Sequence, residues 1–186
     1  MTDPALTVYV PEPIGFRHNP HGIHGIAHAA RVLVWVDELA RSVAAPGALA
    51  LEELRWAASC HDVGRLDDGR DPGHPRRSAE WVLANFDRVR PDAASDLDLS
   101  KLAELCRWHT AHDRSTPVVT LELLILKDAD ALDRARLGDL DPSHLRLARS
   151  LGLVALAQRL FDQTGDGPQA SGSAVLAEAA VILGDG

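Results

Sequence analysis

Aromatic side chains are scarce in this chain: four tryptophans, three phenylalanines and one tyrosine supply 4% of 186 residues. Strands draw on aromatic and β-branched side chains, so their scarcity beside abundant Ala and Leu weighs against a sheet protein. Cysteine is scarcer still, with Cys60 and Cys106 alone. That excludes a disulfide framework and a thiolate zinc module, and it suits a reducing cytoplasm, with both thiols read as small packing residues. Basic residues are outnumbered, 19 against 27 acidic, for a net charge of −8. Broad nucleic-acid binding needs clustered Lys and Arg, so no nucleic-acid partner is expected. Local basic pairs such as Arg76-Arg77, or Arg134 with Arg136, suffice only for a small anion. No apolar run reaches membrane-span length, and residues 1–13 lack the basic-then-apolar order of a signal peptide. The expected location is cytoplasmic, without a membrane.

What remains is a helix-rich composition, 46% hydrophobic and 25% charged, long enough to bury a core as a single domain over 1–186. Residues 1–20 hold four prolines and read as an extended or capping arm. Apolar residues then recur at helical spacing, predicting helices over about 21–45, 49–63, 75–85, 99–111, 117–132, 142–161 and 173–183. Pro46-Gly47 and Gly64 punctuate the first two, and Thr116-Pro117 reads as a cap and first residue for the fifth. Residues 64–73, rich in Gly, Asp and Pro, form a loop whose acidic stretch 67–71 suggests a lid. The fold class is therefore all-α, a compact helical bundle. Residues 21–138 carry the candidate chemistry, and 139–186 complete the core or offer a dimer face.

Nine histidines are unevenly placed. His24 and His28 are four apart, on one face of the expected first helix. His61-Asp62 closes an apolar helix, where burying both side chains is costly unless they surround a cation. Acidic residues recur in a helical frame in Leu126-Lys127-Asp128-Ala129-Asp130-Ala131-Leu132-Asp133.

The order of these motifs, H-G-x-x-H-x-x-R-V over His24 to Val32, then His61-Asp62, then Asp130, resembles the HD superfamily of metal-dependent phosphohydrolases. The resemblance spans about 21–138, roughly two thirds of the chain. It implies that His28, His61, Asp62 and Asp130 ligate a divalent ion, with Asp128 and Asp133 as alternatives to Asp130. Asp133 doubles as a supporting or catalytic group. His74 and His109 stand where binuclear members add ligands, His112 being the rival to His109. His18, His21 and His144 are read as exposed or supporting. Imidazole with carboxylate accepts Mn, Fe, Co, Ni or Zn, as one or two ions.

The implied chemistry is attack of a metal-activated water on a nucleotide or other small phosphorylated metabolite. Cations to hold phosphate are Arg31, Arg65, Arg76, Arg77 and Lys127, and His24 is placed to bond substrate. Arg31 has a structural alternative, tying down its helix. Several family hydrolases carry a glutamate one turn after the His-Asp pair. Here Arg65 holds that place, with Asp67, Asp68 and Asp71 the nearby carboxylates. Two other readings are carried: a di-iron oxygenase of the same superfamily, and a catalytically silent nucleotide-binding domain.

Overall fold

The computed structural model describes residues 4–90, 92 and 96–184. Every regular element among the described residues is helical. At the centre is α1 (Ile26–Val43), buried nearly all round, from Ile26 through Asp37 and at Leu39 and Ala40. A helix apolar on every side must be enclosed. Helices α2 (Leu51–Cys60), α5 (Leu121–Leu132) and α8 (Gly172–Gly184) enclose it, while α3 (His74–Val89) and α4 (Leu99–Trp108) pair beside α2. Trp35, Leu33, Leu39, Leu54, Leu102, Leu126 and Leu132 are fully buried in one continuous core. Each buried leucine stabilises the fold by about 1.5–3 kcal/mol. No helix among the described residues is long and apolar enough to cross a membrane.

Three of the boundaries that differ from the sequence expectation have a clear local reason. The first helix starts at Ile26 rather than His21, because Ile26 N–H donates to Pro20 O and Gly25 N–H to Gly22 O. This turn needs glycine: a Cβ at Gly25 would lie 2.2 Å from Pro20 O. His24 therefore precedes α1 instead of sharing its face. The fifth helix starts at Leu121, not Pro117. The Thr116 hydroxyl is spent on His112 O, and Thr120 caps the helix by accepting from Leu123 N–H. The single helix expected over 142–161 is a 3₁₀ turn (Pro142–His144), α6 (Ala148–Leu151) and α7 (Val154–Thr164). Asp128, fully buried on α5, accepts from Arg146 N–H, Leu147 N–H and Ser150 Oγ–H. Those amides cannot then serve a continuous helix.

The N-terminal arm is not merely extended. It forms 3₁₀ turns at Pro4–Tyr9 and Pro13–Gly15 and inserts Leu6 and Tyr9 into the core. The Tyr9 hydroxyl donates to Glu52 at 2.5 Å, and burial with that contact pushes the phenol up to about 12.

Candidate metal centre

Five helices each bring one end or turn to a common point. His28 comes from the second residue pair of α1, and His61 and Asp62 from the turn that ends α2. His74 is the first residue of α3, His109 follows α4, and Asp130 lies in the last turn of α5. The His-Asp turn is pressed against α3 at Gly64, where an added Cβ would sit 2.4 Å from Ser78 N. His28, His61, Asp62, His74 and His109 are at most 4% exposed. Asp130 is the open member, its side chain 28% exposed.

Hydrogen bonds fix the tautomers. His61 Nδ1 lies 2.8 Å from Ala58 O, His109 Nδ1 2.7 Å from Cys106 O and His74 Nδ1 2.5 Å from Asp71 O. A carbonyl oxygen only accepts, so each of these nitrogens carries the proton. His28 Nδ1 donates at 2.7 Å to Asp133, whose oxygens also accept from Arg31 and Arg136. In the neutral imidazole with this tautomer, Nε2 is the bare lone pair. Yet His28 Nε2 and His61 Nε2 lie 3.0 Å apart, and His74 Nε2 and His109 Nε2 3.1 Å. Two imidazole nitrogens facing each other at that distance, out of water, need a shared proton or a metal ion between them.

Asp62 divides the cluster in two. Its Oδ2 lies 3.6 Å from His28 Nε2 and 3.9 Å from His61 Nε2, and Asp130 Oδ1 lies 3.6 and 4.0 Å from the same nitrogens. Its Oδ1 lies 3.0 Å from His74 Nε2 and 3.7 Å from His109 Nε2, and accepts no hydrogen bond despite full burial. His28, His61 and Asp130 are close enough to hold one ion, as are His61, Asp62 and His109. His24, His28 and Asp62 form a third such group. The donor set, imidazole and carboxylate without thiolate, fits a divalent ion of the Mn-to-Zn series. Burial pushes the Cys60 thiol up to about 12, which leaves it a packing residue.

Electrostatics lower the imidazoles and the carboxylates alike. Burial lowers His28 well below the ordinary histidine value, helped by the nearby Arg136 and His61, and burial lowers His61 too. Burial alone would raise Asp62, but His61 and the surrounding imidazoles hold it well below the usual carboxylate range. Asp130 is lowered in the same way, burial being outweighed by His61, His28 and His109. Neutral imidazoles and ionised carboxylates are the forms that ligate metal.

Arg31, one turn beyond His28, does not face the cluster opening. It is fully buried: Nε donates to Asp133 Oδ1 at 2.5 Å, Nη2 to Asp166 at 2.7 Å and Nη1 to Gly165 O at 2.6 Å, with Phe161 under its guanidinium. Its expected phosphate role gives way to the structural one, because every face of the fork is occupied. Asp133 likewise touches His28 rather than the cluster interior, which makes it an orienting group for that imidazole. Arg65 Nε donates to Asp62 Oδ2 at 2.8 Å, so the place of the family glutamate is held by a cation pinned to the cluster aspartate. His24 Nδ1 lies 2.9 Å from the same oxygen and accepts from Arg136 at 3.1 Å.

Arg76 and Arg77 lie away from the cluster, and Lys127 stands in the wall of the cleft beside it. Arg76 is on the exposed face of α3, paired with Glu80. Arg77 braces the 64–73 loop through Gly64 O and Asp71. Asp67 accepts from Gly69 N–H, and Asp68 approaches His18, so the acidic loop is engaged with itself and its neighbours. Lys127 is buried and donates to Ala111 O and Asp113, both at 2.7 Å. His112 caps a 3₁₀ turn at Asp113–Ser115, outside the cluster, which leaves His109 as the imidazole beside Asp62.

A cleft of about 890 Å³ opens onto Asp130 and His109. Its walls include Arg134, Arg146, His112 and His144. Arg146 and His144 carry no sequence signal, since they reach the cleft only because Asp128 folds their segment back onto α5.

A family model described as the HD domain matches residues 25–135. No curated protein and no solved structure matches the chain. The matched span runs from the turn before α1 to the 3₁₀ extension of α5 and contains every residue of the buried cluster. With the motif order, the all-helical fold and the convergent imidazoles and carboxylates in agreement, the chain belongs to the HD-domain family, a superfamily of metal-dependent phosphohydrolases.

Proposed function

We propose that this protein is a metal-dependent phosphohydrolase acting on a nucleotide or another small phosphorylated metabolite. His28, His61, Asp62 and Asp130 would hold one divalent ion, and His74 and His109, with Asp62, a second. The observation that carries the reading is the meeting of imidazole Nε2 atoms at 3.0 and 3.1 Å on either side of a buried, ionised Asp62.

When bound, such ions acidify water and polarise a phosphoryl oxygen. The chain's own residues supply the rest. Ala58, Cys106 and Asp71 carbonyls hold three imidazoles in the ligating tautomer. Asp133, clamped by Arg31 and Arg136, holds the fourth. Arg65 fixes Asp62 Oδ2. Asp130, half-open at the base of the cleft, marks the side from which substrate enters. Burial of the remaining groups keeps bulk water away from the developing charge.

A second reading is favoured by the same two-sided arrangement, because six ligands, five of them gathered around Asp62, also suit a pair of irons and oxygen chemistry. Elemental analysis of tag-free protein separates them, with the His61→Ala, Asp62→Ala double variant as control. One or two equivalents of Mn, Co, Ni or Zn, lost in the variant, with phosphate release from a general phosphomonoester, is the expected result. Two equivalents of iron with oxygen consumption and no phosphate release would replace the hydrolase with the oxygenase. No bound metal after reconstitution with each ion overturns both.

A further inference from the structure

The family match ends at residue 135, yet the segment beyond it reaches back to the metal centre. The contact is the turn between α7 and α8, Gly165-Asp166-Gly167, and its target is Arg31. A guanidinium carries five N–H donors, and full burial makes each one costly to leave unpaired. Asp133 accepts from two of them, at Nε and Nη2. The turn serves the rest: Gly165 O accepts from Nη1 at 2.6 Å, Asp166 Oδ1 from Nη2 at 2.7 Å and Thr164 Oγ1 from Nη1 at 3.5 Å. Seating the one arginine therefore takes both carboxylates.

The turn has the backbone that this contact requires. Gly165 has φ +58° and ψ −163°, a region essentially closed to residues with a Cβ. A Cβ there would meet nothing within 4 Å, so the backbone angle and not the space calls for glycine. Gly167, at φ +102°, continues the turn with a second positive angle. Between them Gly165 O and the Asp166 carboxylate converge on one guanidinium, which also lies over the Phe161 ring.

Asp133 in turn holds His28. Its Oδ2 accepts from His28 Nδ1 at 2.7 Å, which leaves His28 Nε2 facing the cluster. The imidazole is set by Asp133, Asp133 by the Arg31 fork, and the fork by Asp166. Without the Asp166 carboxylate a buried Nη2 N–H loses its acceptor, and the fork regains one only by turning from Asp133. The guanidinium charge would also bear on Asp133 alone, drawing electron density from the oxygen that supports His28. Both changes weaken His28 as a ligand.

We propose that Asp166 is a positioning residue for the metal centre: through Arg31 and Asp133 it fixes His28 and sets the affinity for the ion that His28 holds. The proposal rests on the metal centre of the reading above and not on its hydrolysis step.

Competitive chelator titration of the tag-free, full-length protein with Co(II) tests it, the visible spectrum of the bound ion being read in the same samples. Asp166→Ala should lower Co(II) affinity by about threefold to tenfold, less than the roughly 10- to 100-fold typical of a group bonded directly to a ligand imidazole. The Co(II) bands should shift with it, because the imidazole is reoriented. In an Asp133→Asn background the same substitution should cost less than about twofold, since residues acting through one chain of contacts do not add. Asp128→Ala loosens the nearby 146–150 segment without touching Arg31, and should leave the affinity unchanged. Should Asp166→Ala fail to fold by circular dichroism, Asp166→Asn keeps the shape and is held to a loss of about threefold. Wild type that binds Co(II), with the Asp166 variant within about twofold of it, overturns the proposal and leaves the metal centre standing. A loss of the same size in the Asp133→Asn background, or in Asp128→Ala, also overturns it, by removing Asp133 from the path or by making general loosening the cause. Wild type that binds no Co(II) overturns the metal centre and the proposal with it.

Discussion

Asp62 and Asp128 are both buried aspartates, and they are treated in opposite ways. Asp128 accepts from two backbone amides and the Ser150 hydroxyl, so its charge is matched by fixed donors and it holds the C-terminal segment against α5. Asp62 is also fully enclosed, but one of its oxygens accepts no hydrogen bond and faces the Nε2 atoms of His74 and His109. A buried acceptor left unmatched costs about 1–3 kcal/mol or more when charged. The difference separates architecture from site: the fold completes the first carboxylate itself and leaves the second for a cation to complete.

Exchanging each aspartate for alanine is the sharpest way to break the comparison. Asp62→Ala should abolish stoichiometric metal and lower phosphate release by about 1,000-fold or more, as expected when the group that makes the nucleophile is lost. The metal-free form should lose less stability in urea than Asp128→Ala does, because one of the two Asp62 oxygens accepts no hydrogen bond. Asp128→Ala should do the opposite. Three donors lose their acceptor, so unfolding stability falls by about 2–3 kcal/mol, while metal per folded chain stays at the wild-type value. A stability loss confined to Asp62→Ala would erase the distinction.

Asp133→Asn probes the layer between the two. It keeps the shape but weakens the contacts to His28 Nδ1 and Arg31, so metal affinity should drop by about 10- to 100-fold in a competitive chelator titration. An affinity within a factor of two of wild type would show that His28 needs no orienting partner.

The smallest effect is in pH. His28 and His61 are lowered by burial, so the folded metal-free protein keeps them neutral while the unfolded chain protonates them near 6.5. The unfolded state then binds more protons, and stability falls as pH drops below 6.5 toward the folded-state values. The slope is about 1.4 kcal/mol per pH unit for each imidazole that stays neutral. Urea midpoints measured from pH 7 to 5 on metal-free protein check it. A flat profile would place protons on the cluster.

The contrast also explains what was legible in the sequence. The helical class follows from composition, and the cluster histidines and aspartates follow from motif order along helices of predictable period. The structure gathers His28, His61, Asp62, His74, His109 and Asp130 at one point. The roles of the arginines were not legible, because an arginine's role depends on its partners. Arg31 meets Asp166, 135 residues away, and Arg65 meets the Asp62 carboxylate that a glutamate would have neighboured. The break of the 142–161 helix was hidden for the same reason, since the groups that bend it belong to Asp128 on another helix. His24 was misplaced by five residues of turn that only Gly25 and Pro20, seen together, reveal.

The central claim is that the two sides of Asp62 are cation sites. Anomalous diffraction from crystals reconstituted with Mn or Zn tests it most directly. The account predicts a peak at coordination distance, about 2.0–2.2 Å, from His61 Nε2 and an Asp62 oxygen, with Asp130 and His28 completing it and a second peak toward His74 and His109. Crystals that show no anomalous peak within reach of Asp62, with ordered water bridging the imidazoles instead, would contradict it.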